Sequence, residues 1–384
     1  MAATTFELRA SQAWKWVVCT ASRLMSLGQP DIEDPTVRDE GIAFHYFALM
    51  VWLGHTVNVG QRVFLDGMSN TVECDDAMID AIDEYLDRIR TWGGTPRLEF
   101  SVAAPRIHPQ CGGTTDVWSF NATAGDVYAN CDGVLYVGDA KYGYRWNDPY
   151  RHWQCLVYVS GLLDHLGIVD DTRIMVEINI FQPRAYRRGG PWFTWRVRAS
   201  DLRADFNTLR NAAEEALSDR AKCVTGPHCN NCAARAGCAA FDQAYENAFE
   251  VASEPIDNDL TPERVDVQLA RVERAIEVLD AQKSAYQARA EMFIRSGKQM
   301  RNYELRPGRS NLRWKEGIEP ALQAMAQQQG LKLFNQKPIT PTQAKKVLAE
   351  SLVDALSDRP AAGLKLVRVD EDRASRMFGQ ISEG

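Results

Sequence analysis

The chain has no apolar run approaching the ~18 residues that a membrane span requires, and its start, MAATTFELRASQAWKW, lacks the basic-then-apolar order of a secretory signal. The expectation is a cytoplasmic protein with no membrane partner. Positive charge is also in short supply: 44 Lys and Arg stand against 51 Asp and Glu, a net charge of −7. A field of that sign repels nucleic acid, so any contact with a polyanion has to be local. No internal repeat is found. With 45% hydrophobic and 25% charged residues, disorder and collagen-like scaffolds are excluded. Nine cysteines in 384 residues argue against a disulfide framework and leave metal ligation or burial as explanations.

At ~150 residues per domain the length allows two or three units. Residues 8–59 read as two helices separated by a loop around Gly28, Pro30 and Pro35, with Trp14, Val17, Val18 and Leu24 on the first and Phe44, Phe47, Ala48 and Val51 on the second. A third helix is expected from Asp75 to Trp92, stopped by Gly93 and Gly94. The segments LEFSVA, TTDVWSF and GVLYVGDAKY then read as strands, followed by a helix over 150–166, two strands in RIMVEINIF and WFTWRVR, and a helix over 201–221. That order predicts an α/β core with its sheet in the middle of the chain. The core is expected to span residues 1–250. A second, mainly helical and basic unit is expected over 258–384, opening with a long amphipathic helix at 263–295.

In LYVGDAKYG, side chains alternate along the strand, so Asp139 and Lys141 share a face. GGTTDVW puts Asp116 at the head of another strand, where two carboxylates can converge. Hard oxygen ligands with open positions suit Mg²⁺ or Mn²⁺ holding a phosphate and a water. A neighbouring lysine can orient or deprotonate that water and offset the charge on phosphorus. Asp116 followed by Asp139-Ala140-Lys141 resembles the PD-(D/E)XK nuclease signature in its RecB-like branch. EGIAFHYFALM is similar to that branch's helical motif, in which a His after a Gly is a metal ligand, which assigns His45. QCLVYVSGL is similar to its Q-x-x-x-Y motif, which assigns Gln154 and Tyr158, four apart on a helix with Arg151 one turn earlier. The resemblance implies a restriction-endonuclease-like fold, a central mixed sheet flanked by helices. It implies a metal site of His45, Asp116, Asp139 and the Ala140 carbonyl, with Lys141 activating the attacking water and Gln154 and Tyr158 positioning the strand. Glu99, in RLEF, either supports this site or faces solvent.

Residues 223–238 read C-x₅-C-x₂-C-x₅-C. Spacing alone admits a zinc knuckle of Cys223, Cys229, Cys232 and Cys238, with His228 as a further donor, or an iron–sulfur cluster. Iron–sulfur members of the RecB-like branch, the AddB-type helicase-nucleases and CRISPR-associated exonucleases, look like this chain, with one Cys before the nuclease core and three after it. The resemblance therefore implies a 4Fe–4S cluster on Cys19, Cys229, Cys232 and Cys238, with Zn²⁺ as the alternative. Cys74, Cys111, Cys131 and Cys155 have no partner spacing and are expected to be buried.

Between Arg295 and Lys315 there are seven basic residues and one acid, with Tyr303 and Trp314 interleaved. Arg306, Arg309, Arg313 and Trp314, together with Arg151, are the expected DNA contacts. Arg184, Arg187 and Arg188 sit in a loop that could cover the site. IFQPR, the cysteine cluster, the long helix and GKQMRNYELRPGRSNLRW together resemble a phage and prophage family of RecB-like nucleases. The implied function is a metal-dependent DNA exonuclease in phage DNA recombination, replication or processing, in the cytoplasm of a bacterial host. DNA ends or single strands are its expected substrates, and a recombinase, a single-strand-binding protein or further copies of the chain its expected partners. Two rivals stand beside it: an inactive DNA-binding accessory protein on a nuclease fold, and a zinc-stabilised phage interaction protein.

Overall fold

The computed structural model describes residues 6–29, 35–124, 132–185, 190–255, 259–295, 297–307, 313–315, 317–331, 333, 341–345, 348–358 and 364–368. The chain divides into two compact units, Met1–Gln282 and Lys283–Gly384. The division falls inside the long helix and not at the composition change near residue 257. The reason is packing: Ala275, Val278 and Ala281 of that helix bury against Phe241 and Ala248 of the helix before it.

In the first unit, strand β1 (Leu8–Arg9) is followed by helices α1 (Pro35–Trp52) and α2 (Asp76–Arg90). Strands β2 (Arg97–Ala103), β3 (Cys111–Ala124) and β4 (Asp132–Ala140) lead into α3 (Trp153–His165). Then come β5 (Ile174–Phe181), β6 (Trp192–Arg198), α4 (Arg203–Ala216), α5 (Ala239–Ser253) and the first part of α6 (Pro262–Arg295), whose last turns belong to the second unit. The expected first helix is instead β1 and short helical turns at Ala13–Trp16 and Ser22–Met25. Leu8 and Ala10 there are fully buried, whereas Val18 and Leu24 stay exposed, a pattern that suits a sheet edge and tight turns better than one continuous helical stripe.

The six-stranded sheet is mixed. β3 pairs antiparallel with β2 and β4, β4 pairs parallel with β5 across the α3 crossover, β5 pairs antiparallel with β6, and β1 lies parallel to the start of β3. Helices cover both faces. On one, Leu135 and Val137 pack with Leu156, Val157 and Val159 of α3 and with Leu209 and Ala213 of α4. On the other, Val117, Phe181 and Trp192 meet Phe44 and Phe47 of α1 and Ile82, Tyr85 and Ile89 of α2. The Asp75 carboxylate accepts the Met78 N–H at 2.8 Å and caps α2, a contact worth about 1 kcal/mol. No described helix is long and apolar enough to cross a membrane.

In the second unit, β7 (Tyr303–Pro307) pairs antiparallel with Leu364–Arg368, and Arg313–Trp314 pairs with Ser357–Asp358. A helix over Glu319–Gln329 buries Leu322 with Leu333, Ala344 and Val353.

Candidate metal and thiolate sites

The sequence candidates meet where β3 and β4 run side by side. Val117 pairs with Gly138, so Asp116 and Asp139 fall at adjacent positions across the ladder. Asp116 Oδ2 accepts the Ala140 N–H at 2.6 Å, which pins one strand's carboxylate to the other strand's backbone. α1 contributes His45, whose Nδ1 lies 3.2 Å from Glu99 Oε1 and whose Nε2 lies 3.8 Å from Asp116 Oδ2. The stack of Phe44 on Tyr142, centroids 4.8 Å apart, fixes α1 against the chain leaving β4. Arg184 adds a second tie, lying 3.8 Å over the Tyr142 ring while it pairs with Glu40 of α1.

Lys141 Nζ donates to Asp139 Oδ1 at 3.1 Å and to Gln154 Oε1 at 3.0 Å. Gln154 Nε2 in turn donates to the Tyr158 hydroxyl at 3.0 Å. The Lys strand and α3 are thereby joined by one polar chain. Asp139 is fully buried; its Oδ2 lies 2.9 Å from Lys141 Nζ but out of line for a hydrogen bond, and has no other partner among the described residues. A cleft of about 760 Å³ opens over this centre, with His45, Glu99, Asp116, Lys141, Gln154 and Tyr158 in its lining.

The metal-capable set differs from the expected one. Among the described residues, His45, Glu99 and Asp116 place ligand atoms within 4.8 Å of one another. Glu99 thus stands in the group, while Asp139 is engaged by Lys141. Spacing could not reveal this, because Glu99 takes a left-handed backbone conformation, φ 49°, inside β2. The ladder with β3 skips it, pairing Leu98 with Val117 and Phe100 with Thr115. Such strain in a non-glycine strand residue persists only where surrounding structure enforces it.

Charge crowding is evident. Burial disfavours a charged His45, but the carboxylates of Asp116, Glu99 and Asp139 outweigh it and raise the imidazole to about 9. Burial, then the neighbouring Asp139 and Glu99, lifts Asp116 to about 7 against the pull of His45 and Lys141. For Lys141, burial is again opposed and overcome, here by Asp139 and Asp116, so its ammonium form is held. Burial keeps the Tyr158 phenol protonated.

Arg151 does not share the α3 face. It precedes the helix with φ 49° and its guanidinium lies 3.3 Å from Asp205 of α4. Arg306 pairs with Glu304 in the second unit. Arg313 and Trp314 lie on a two-residue strand there, and Arg309, Arg187, Arg188 and Cys131 fall outside the described residues.

A second cluster forms around the N-terminal turns. Cys19 Sγ lies 3.7 Å from the Lys222 carbonyl and accepts the Val224 N–H at 3.4 Å, while Thr20 Oγ1 accepts the Lys222 N–H at 2.8 Å. This clamp seats Cys19 beside Cys223. Burial raises the Cys19 thiol, and the nearby Cys232 and Cys238 raise it further. Cys229 is raised by burial and then by Cys232, Cys19 and Cys238. Cys223, though exposed, is raised to about 11 by partial desolvation and by Cys238 and Cys19. Five cysteines therefore share one neighbourhood. Arg235 is 4% exposed, bonds the Asn230 carbonyl, and has Cys232 and Cys229 as its electrostatic partners, an arrangement that suits thiolates. His228 Nε2 is 2.8 Å from the Val224 carbonyl, so that nitrogen is already used. Cys74, Cys111 and Cys155 are buried.

Fold and site together define an α/β protein whose helix-flanked mixed sheet is compatible with a PD-(D/E)XK-like core and gathers His45, Glu99 and Asp116 as a metal-capable group. The chain belongs to the DUF2800 family, described as a protein of unknown function, whose model matches residues 6–374. No curated protein matches it.

Proposed function

We propose that this protein is a Mg²⁺- or Mn²⁺-dependent deoxyribonuclease of the PD-(D/E)XK type, acting as an exonuclease in phage DNA recombination, replication or processing. The observation that carries this reading is the meeting of His45, Glu99, Asp116, Lys141, Gln154 and Tyr158, drawn from five separated stretches of sequence, on one cleft.

A divalent cation fits the site. His45, Glu99 and Asp116 supply nitrogen and oxygen donors of the right hardness, and the raised Asp116 marks a crowding of negative charge that a cation relieves. Asp139, with a buried oxygen lacking a hydrogen bond, and the Ala140 carbonyl are further donors within the same strand end. When bound, the cation would supply Lewis acidity at the phosphoryl group and a more acidic water. Lys141, held as an ammonium by Asp139 and Gln154, offsets the negative charge that grows on the phosphoryl oxygens. Tyr158, a protonated phenol bonded to Gln154, can donate to a phosphate oxygen and hold the strand in register.

The cysteines are proposed to hold a 4Fe–4S cluster through Cys19, Cys229, Cys232 and Cys238. The gathering of Cys19 with Cys229, Cys232 and Cys238 supports this reading, with Zn²⁺ as the alternative.

The decisive assay incubates 5′- and 3′-end-labelled single- and double-stranded DNA with the full chain and Mn²⁺ or Mg²⁺. EDTA-sensitive loss of label, abolished by Asp139→Ala in a folded protein, is expected. Binding with no metal-dependent turnover would make the protein a DNA-binding accessory, and an active Asp139→Ala would remove the site assignment.

A further inference from the structure

We propose that Arg9 binds a phosphate of the substrate next to the scissile one, with Phe6 receiving the base of that nucleotide; this rests on the nuclease reading of the cleft. Both residues line the cleft together with Glu99, Asp116 and Lys141. Arg9 reaches it on β1, which pairs with Cys111 and Gly112 at the start of β3, the strand that carries Asp116.

The cleft needs this cation. Glu99 and Asp116 face into it, and a strand drawn along it brings one negative charge per phosphate. Lys141 is already engaged by Asp139 and Gln154 and sits at the reacting end. Arg9 is the other lysine or arginine of the lining. Its side chain is exposed and, among the described residues, pairs with no acid. Other arginines of the first unit are committed: Arg23 to Glu7, Arg106 to Asp164 and Arg184 to Glu40.

Its backbone is fixed in advance. Leu8 and Ala10 on either side are fully buried, the Leu8 N–H donates to the Gln110 carbonyl at 3.1 Å, and the Trp16 indole N–H donates to the Arg9 carbonyl at 3.1 Å. A guanidinium on such a base binds a phosphodiester at low ordering cost and with two-point geometry. Phe6 is seated just as firmly. A Cβ at Gly112 would lie 2.7 Å from the Phe6 ring, so the glycine is what lets the ring lie against the strand. An aromatic face beside a phosphate ligand is the arrangement that stacks an unpaired base.

The test compares wild type, Arg9→Ala, Arg9→Lys and Phe6→Ala full-length protein. A labelled oligonucleotide is degraded with Mn²⁺ for kcat and KM, and its affinity is followed by anisotropy over a salt series. Arg9→Ala should raise KM about tenfold with a smaller change in kcat. Its log affinity against log salt should flatten by about 0.7, one phosphate contact on a single strand. Arg9→Lys should keep the wild-type slope. Phe6→Ala should weaken binding at every salt concentration without changing the slope. Cleavage by wild type with an unaltered KM and slope in Arg9→Ala overturns the assignment of Arg9 and leaves the nuclease intact. Binding without cleavage, with the slope difference present, keeps Arg9 and overturns the nuclease. Absence of both binding and cleavage overturns both.

Discussion

Lys141 is the residue on which the proposed chemistry turns, and its surroundings fix the form in which it acts. Burial would neutralise it, yet Asp139 and Asp116 hold the proton, so in the proposed reaction its role is to stabilise charge on the phosphoryl group. Lys141→Ala should therefore lower kcat by about 10²–10⁴, the range for removing one positioned group, while oligonucleotide affinity changes little; rapid-quench cleavage beside anisotropy measures both. Asp116 and His45 make a prediction about stability. His45 is raised from 6.5 to about 9, so the stability it adds is full below pH 6.5 and is lost as pH rises through about 9. Asp116 is raised from 3.8 to about 7; the folded state holds its proton longer than the unfolded chain, so stability falls as pH climbs from 3.8 to about 7. Both effects have the same sign. The melting temperature of the metal-free protein should decline steadily from about pH 4 to about pH 9, and Mn²⁺ should raise it more at the alkaline end, where it replaces a missing proton. A metal-free melting temperature that rises over that range would contradict the crowded carboxylate site.

The elements that matter most are the N-terminal turns and the 222–238 segment, which meet through the Cys19 clamp although some two hundred residues separate them. If Cys19 is a cluster ligand, Cys19→Ser should lose iron and destabilise the first unit by ~2–3 kcal/mol, the low end for removing a cross-link between distant segments. That corresponds to about 5–10 °C in thermal melts. Cys223→Ser should keep its iron. The reverse pattern, iron or zinc lost with Cys223 and retained without Cys19, would favour a local four-cysteine zinc site. Much at this scale was legible in the sequence. The strand WFTWRVR and the helix entered at Asp75 appear where alternation and capping put them, because each is set by short-range pattern. The N-terminal stretch was not, because its shape is imposed by β1 joining the sheet beside β3, a long-range pairing that no local period encodes. The site divides the same way. Strand alternation puts Asp139 and Lys141 on one face, whereas His45, Gln154 and Tyr158 come from the resemblance to the nuclease motifs. Glu99 depends on a backbone kink and Arg9 on a two-residue edge strand, and neither leaves a mark in spacing.

For the molecule as a whole, the proposed function calls on two metals with different tasks, and their removal should be separable. The carboxylate centre lines an open cleft, so a chelator can reach it, and the net charge of −7 does nothing to repel a small cation. The cysteine cluster is largely buried, with Cys19, Cys229 and Cys232 each under a tenth exposed, and it joins the N-terminal turns to the segment after α4. EDTA should thus stop cleavage while leaving iron content unchanged and the melting temperature nearly so. Oxidative loss of iron from anaerobically prepared protein should lower the melting temperature and the activity together, because the core loses its clamp. Readdition of Mn²⁺ should restore activity after the first treatment and not after the second. Metal analysis, thermal melts and end-label release on the same samples decide the matter. If the anaerobic protein is colourless and carries zinc, the cluster is wrong and the clamp is zinc-built. If EDTA removes activity only when it also unfolds the protein, the carboxylate centre is structural and the catalytic reading fails.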